Sequence, residues 1–242
     1  MHALSIFSGT SPESRFPQPS RSIHRRALLL SLAGIAILLL SIGLAACGGS
    51  SDPKLSGTDL DKTPAPNFTL TDQRGQQVSL DQFRGKAVVL TFIYTHCPDV
   101  CPLIAEHLRA TYAQLPAKTQ QKVVMLAVTV DPARDNEAAL EHFSQVHGLA
   151  NNSDWHAMTG QPATLKQVWV DYHIDSSAML TDMAVPMSGA HATMATPTPN
   201  ANGTVDHTDA IFLIDKDGNE RVLMHSTDSP QTIASNLKAL AG

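Results

Sequence analysis

The chain has 242 residues, 43% of them hydrophobic, 16% charged and 5% aromatic, with a formal net charge of −5. That length and apolar share suffice for one large domain or two small ones, and exclude a coiled coil, a collagen-like chain or a wholly disordered one. The acidic balance speaks against a nucleic-acid partner, which needs a basic face, and three cysteines are too few for a disulfide-dense scaffold.

Residues 27–46 carry no charge and follow His24, Arg25 and Arg26. A basic start before an apolar run is the pattern of an export signal. The run closes on Leu44-Ala45-Ala46-Cys47-Gly48-Gly49-Ser50, which resembles a bacterial lipoprotein signal. In that reading residues 1–46 are a signal peptide and Cys47 is the lipidated first residue of the mature chain. The alternative is an uncleaved transmembrane anchor, since about 20 apolar residues span about 30 Å. Either reading places residues 48–242 on the outer, periplasmic face of the bacterial cytoplasmic membrane, because the basic flank stays inside. Without residues 1–46 the net charge is −8, and only Cys97 and Cys101 remain as thiols if Cys47 is acylated.

Residues 47–66 hold this lipidation site and a stretch rich in Gly, Ser, Asp and Pro that reads as a flexible tether. The folded domain is expected over 67–242. Phe68-Thr69-Leu70 and Val78-Ser79-Leu80 flank Asp72-Gln73-Arg74-Gly75, a hairpin signal. Residues 86–94 (KAVVLTFIY) and 122–130 (KVVMLAVTV) are continuous apolar runs, as expected of strands buried on both faces. Between them, Leu103, Ile104, Leu108 and Leu115 mark a helix over 102–115. Asp131-Pro132 ends the second strand, and 136–147 reads as a helix with Leu140, Phe143 and Val146 inward. A further helix is expected over 162–172. Residues 178–203 are an irregular insertion rich in Met, Ala, Thr, Pro, Asn and Gly. Strands 209–214 and 220–225 surround the turn Asp215-Lys216-Asp217-Gly218-Asn219, and 230–240 closes as a helix. This order gives an α/β domain with a central mixed sheet flanked by helices, whose chemistry sits where a strand feeds a helix N-terminus.

The paired cysteines lie at such a point, in Tyr94-Thr95-His96-Cys97-Pro98-Asp99-Val100-Cys101-Pro102. A residue before proline is biased away from the α conformation, and Pro102 suits a first helical turn. Both sulfurs are therefore expected at the mouth of a helix, with Cys101 as its cap. The positive helix end favours thiolate, the form that binds metal and attacks disulfides. Soft thiolates select Cu(I), zinc or iron–sulfur clusters. Closed zinc sites take four ligands and iron–sulfur clusters four cysteines, so two thiolates with an imidazole suit copper better. A plain structural disulfide and a thiol–disulfide exchange pair remain alternatives.

The segment Thr91-Phe92-Ile93-Tyr94-Thr95-His96-Cys97-Pro98-Asp99-Val100-Cys101-Pro102 resembles the signature of the SCO/SenC family. So do Val130-Asp131-Pro132-Ala133-Arg134-Asp135 and Val205-Asp206-His207-Thr208, and the resemblance spans roughly residues 60–241. It implies a thioredoxin-like fold and a copper chaperone for the binuclear copper centre of cytochrome c oxidase. It also implies copper ligation by Cys97, Cys101 and His207. From the residues alone His207 is one candidate among the nine histidines that follow Cys47. His96 is expected to be structural and Asp206 to orient its loop. Asp131, Arg134 and Asp135 are expected to form a strand-end turn with a charge pair that caps the next helix. His107, His142, His147, His156, His173 and His225 read as surface or satisfied polar residues.

The insertion is longer than the usual family segment and carries Met179, Met183, Met187, His191 and Met194. Thioether and imidazole can hold Cu(I), so Met183, Met187, His191 and Met194 form a candidate auxiliary copper arm, against a plain low-complexity loop. The expected function is copper delivery without covalent catalysis. The alternative is a thiol–disulfide reductase acting on an oxidase subunit or another exported protein. The expected partners are the copper-bearing oxidase subunit, a further copper chaperone or thiol reductant, and the membrane through the lipid anchor.

Overall fold

The computed structural model describes residues 53–175 and 205–242. The expected signal peptide, Cys47 and the candidate copper arm at Met183, Met187, His191 and Met194 lie outside the described residues.

Eight strands form one mixed sheet in the order β1-β8-β7-β4-β5-β6-β2-β3. They are β1 (Thr58–Pro64), β2 (Thr69–Asp72), β3 (Gln77–Ser79), β4 (Ala87–Ile93), β5 (Val123–Thr129), β6 (Trp155–Thr159), β7 (Ile211–Ile214) and β8 (Asn219–Met224). The helices are α1 (Val100–Ala113), the one-turn α2 (Ala117–Gln120), α3 (Glu137–Val146), α4 (Pro162–Asp171) and α5 (Pro230–Leu240). A 3₁₀ turn at Leu80–Phe83 links β3 to β4.

Strands β4 and β5 occupy the centre because every one of their side chains is buried. They pair in parallel from Ala87↔Val123 to Ile93↔Thr129, so their C-terminal ends lie level. β7 pairs antiparallel on the other side of β4, from Val88↔Ile214 to Thr91↔Ile211. The loop before β7 therefore enters the sheet at the same end from which β4 leaves it. Helix α1 packs on α5, where the Thr111 hydroxyl donates to the Pro230 carbonyl at 3.3 Å. Two indoles tie the helices to the parallel strands. Trp155 Nε1 donates to Ser144 Oγ at 2.9 Å, and Trp169 Nε1 to the Thr129 carbonyl at 3.1 Å.

Three expectations are corrected and one unannounced strand is added. Residues 58–64, expected within the tether, form β1, paired antiparallel with β8. Its side chains are almost all exposed, so backbone hydrogen bonds rather than burial place it in the sheet. Residues 155–159 form β6, a strand that no run or alternation announces; His156, its second residue, is buried against Asp72 and Arg74. Val146, expected inward, is 65% exposed, and Leu103, one of the apolar residues whose spacing marks α1, is 40% exposed. The buried stripe of α3 runs through Leu140, Phe143 and Ser144, and that of α1 through Cys101, Ile104, Ala105, Leu108 and Thr111. At about 100° per residue Val146 and Leu103 project well to the side of those stripes. Finally, the cap of α1 is Asp99, whose side chain accepts from the Val100 N–H at 2.6 Å; Cys101 lies inside the first turn.

Candidate metal centre

The β4–α1 loop turns sharply after Tyr94. The Cys97 N–H donates to the Tyr94 carbonyl at 3.3 Å, and the Cys101 N–H donates to the Cys97 sulfur at 3.3 Å. This folds the two cysteines against one another across the start of α1. Both are free thiols; Cys97 is half-buried and Cys101 fully buried. The Cys101 thiol donates to Cys97 and is the largest influence lowering the Cys97 pKa from 9.0 to about 5, against the opposing effect of burial. The Cys101 backbone N–H and the Tyr94 hydroxyl add to that lowering. Cys101 is pushed up in return, because it supplies that hydrogen bond, is desolvated and sits beside the Cys97 charge. The two shifts favour the thiolate at Cys97 and the thiol at Cys101.

His207 reaches this pair from a distant part of the chain. Its Nδ1 lies 2.9 Å from the Thr208 carbonyl, which can only accept. Nδ1 therefore carries the proton and Nε2 offers its lone pair. Nε2 is 3.9 Å from Cys101 Sγ. With metal–sulfur and metal–nitrogen bonds of about 2.3 and 2.0 Å, that is the separation of two ligands on one metal ion at an angle of roughly 130°. The His207 loop is held by Asp175, whose carbonyl accepts from the Thr208 N–H at 2.9 Å and whose N–H donates to Thr208 Oγ1 at 3.0 Å. The three candidate ligands are not converged: among the described residues no group of three or more His, Cys, Asp or Glu side chains is already placed to hold a metal ion.

The other sequence candidates are placed as follows, and His107, expected to be a surface or satisfied residue, has its Nδ1 buried with no hydrogen-bond partner. His96 is exposed, its Nδ1 3.0 Å from Thr95 Oγ1. Asp206 is exposed beside His207. Asp131 and Arg134 form the expected ion pair. Asp135 does not cap α3; that cap is Asn136, which accepts from the Ala139 N–H at 2.9 Å. Asp135 is instead fully buried and accepts from Thr95 Oγ1 and Thr129 Oγ1, each at 2.6 Å, and from the Thr95 N–H at 3.2 Å. It pins the cysteine loop to the level end of β5. Burial holds its carboxyl above the usual range despite these donors. Tyr94 also escapes a sequence reading: the residue is buried and its ring stands edge-on to the His207 imidazole, centroids 5.8 Å apart at 83°. Only its place three residues before Cys97 could have drawn attention to it.

A mixed sheet that carries a thiol–thiolate pair at a helix mouth, with an imidazole lone pair facing it, defines a thioredoxin-like domain suited to a thiophilic metal or to disulfide exchange. The sequence profile described as SCO1/SenC matches residues 57–242, and the chain belongs to that family. Among its relatives, the mitochondrial SCO2 homolog of Bos taurus is 33% identical over 157 residues, covering 63% of this chain. The chain spans 50% of that relative's length. The copper-bound structure of Bradyrhizobium japonicum ScoI is 29% identical, with a TM-score of 0.53 over 74% of this chain and 99% of that one. The solution structure of apo Sco1 from Thermus thermophilus is 26% identical, with a TM-score of 0.59 over 79% and 99%. The fold is thus the thioredoxin-like fold of Sco proteins.

Proposed function

We propose that this chain is a copper-binding assembly factor that carries copper on Cys97, Cys101 and His207 to the binuclear copper centre of cytochrome c oxidase. The observation that carries this reading is the Nε2 lone pair of His207 aimed at Cys101 across 3.9 Å. A pure redox pair has no use for that imidazole. Family membership and the copper-bound ScoI relative support copper as the cargo. Two thiolates and an imidazole form a soft set that matches Cu(I) and leaves coordination positions open to an acceptor. In this account the protein makes no covalent bond. It binds copper, shields it on a half-buried loop, and presents it on the outer face of the membrane, where Cys47 anchors the chain by lipid. Its partners are the copper-bearing oxidase subunit and an upstream copper chaperone or thiol reductant. Met183, Met187, His191 and Met194 gather copper when it is scarce.

A second reading is favoured by the split between Cys97, lowered to about 5, and Cys101, raised above the ordinary thiol range. An attacking thiolate beside a resolving thiol is the arrangement of a thiol–disulfide reductase. The two readings part in cells grown at limiting copper. The copper reading expects Cys97→Ser and His207→Ala to share one defect, low oxidase activity restored by added copper. The reductase reading expects only Cys97→Ser to fail, with restoration by added thiol. Normal oxidase assembly in the His207→Ala strain at limiting copper overturns the copper reading.

A further inference from the structure

The donors at the mouth of α1 lie at graded depth. Cys101 is fully buried, Cys97 is half-buried and His96, the residue before it, is exposed. His96 has no part in the assignment of copper to Cys97, Cys101 and His207, yet its ring is not free. Its Nδ1 lies 3.0 Å from Thr95 Oγ1. The same hydroxyl donates to Asp135 Oδ1 at 2.6 Å, and the Thr95 N–H reaches both carboxylate oxygens at 3.2 Å. Asp135 is fully buried, and its Oδ2 accepts from the Thr129 hydroxyl at 2.6 Å. A hydroxyl has one proton to give. Thr95 gives its proton to the carboxylate, so towards His96 its oxygen accepts. Nδ1 of His96 therefore carries the ring proton and Nε2 keeps its lone pair. The Thr208 carbonyl fixes the same tautomer in His207.

We propose that His96 is a transient copper ligand, the outer hand-off point through which Cu(I) passes between a partner's donor group and Cys97. The chain of buried carboxylate, hydroxyl and exposed imidazole carries this inference. A histidine that binds metal has its second nitrogen tied to a carboxylate, carbonyl or other acceptor, which sets the tautomer and orients the ring. An exposed histidine that only fills a loop needs neither a fixed tautomer nor a buried carboxylate behind it. Consecutive Cα atoms are about 3.8 Å apart, so a copper ion on the His96 imidazole is within a side chain's length of the Cys97 sulfur. That sulfur is held in place by the Cys101 N–H at 3.3 Å. Copper stays Cu(I) throughout. Each step forms one dative bond to the next donor and breaks one to the last, and no electron is transferred. His96 stays outside the resident set, because thiolates are the softer ligands and draw Cu(I) inward from a lone imidazole. Thr95 and Asp135 are positioning residues that orient His96. The cargo rests on the copper reading above; the fixed tautomer is a property of the metal-free protein.

The test separates the rate of copper exchange from affinity. Uptake by the reduced full chain is followed by stopped flow from a Cu(I)–bicinchoninate complex, and affinity is titrated against the same chelator. His96→Ala is expected to slow uptake about tenfold and to leave affinity within about twofold, because the three resident ligands remain. Unchanged uptake overturns the proposal. A loss of affinity as large as the loss of rate also overturns it, since that result makes His96 a resident ligand. Thr95→Val removes the hydroxyl that sets the tautomer. It is expected to slow uptake in the parent and not in the His96→Ala background, where nothing is left to orient. Equal slowing in both backgrounds assigns Thr95 to the folding of the loop and overturns the relay. A further readout needs no metal. Ring nitrogen chemical shifts of His96 in the metal-free full chain, at mildly alkaline pH, are expected to show a protonated Nδ1 and a bare Nε2, and the opposite tautomer overturns the proposal. A parent chain that takes up no Cu(I) fails the copper reading, and the hand-off with it, before any variant is compared. Parental uptake by His96→Ala fails the hand-off alone.

Discussion

Removing the His207 imidazole is expected to lower Cu(I) affinity at least about 100-fold, and Cys97→Ser is expected to match it. Losing a group that merely orients a metal ligand typically costs 10- to 100-fold, so losing a ligand from a set of three costs no less. The two variants differ in the metal-free state. Cys97→Ser removes the acceptor of the Cys101 thiol's hydrogen bond. His207→Ala keeps both thiols and removes only the 3.9 Å contact between Nε2 and Cys101 Sγ. Thiol titration after unfolding should therefore find Cys97 and Cys101 both free in His207→Ala, which has no copper site. Competition against a Cu(I) chelator checks the affinities. Retention of parental affinity by His207→Ala contradicts the ligand assignment.

The second large effect is in the pH profile of alkylation. A Cys97 pKa lowered from 9.0 to about 5 means that the attacking thiolate is fully formed above about pH 6. The rate of iodoacetamide labelling should reach half its plateau near pH 5 and stay flat through neutrality. Removing the donor with Cys101→Ser takes away the largest stabilisation of that thiolate, so the half-plateau should move up toward the ordinary 9.0. The rate at pH 7 is a poor readout. A thiolate of lower pKa is also less nucleophilic, with a Brønsted slope of about 0.4–0.5, and this cancels much of the gain in thiolate fraction. The position of the profile carries the prediction, and identical profiles in the two proteins contradict it. Cys101 has the opposite sign: its thiol form is favoured, so it should resist labelling across the same range until the protein unfolds.

These expectations reach different depths in the sequence. β4 and β5 were legible because AVVLTFI and VVMLAVT are buried on both faces and leave unbroken apolar runs. α5 was legible to its ends because Ser229 and Pro230 announce its start, with Ser229 Oγ accepting from the Thr232 N–H at 3.2 Å. β1 was not, because an edge strand of Thr, Asp, Lys and Pro is held by its backbone and buries no stripe to read. β6 was hidden because His156 interrupts it, and what makes that histidine tolerable is Asp72, 84 residues away. The same division runs through the site. Cys97 and Cys101 sit together in one loop with prolines beside them. His207 was one histidine of nine, and only the family resemblance singled it out. Asp135 was read as a helix cap, since its actual work is to join the cysteine loop to β5, and that meeting depends on the level ends of β4 and β5.

Copper stoichiometry in the reduced and oxidised protein tests the central claim most directly. Joining Cys97 to Cys101 as a disulfide consumes both thiolates and leaves His207 as the one assigned ligand. The full chain, reduced and then incubated with excess Cu(I) under anaerobic conditions, is expected to retain one tightly held copper per molecule after desalting. The oxidised chain is expected to retain none, and to regain the site on reduction. Equal copper retention by the two forms contradicts the account and places the ligands elsewhere in the chain.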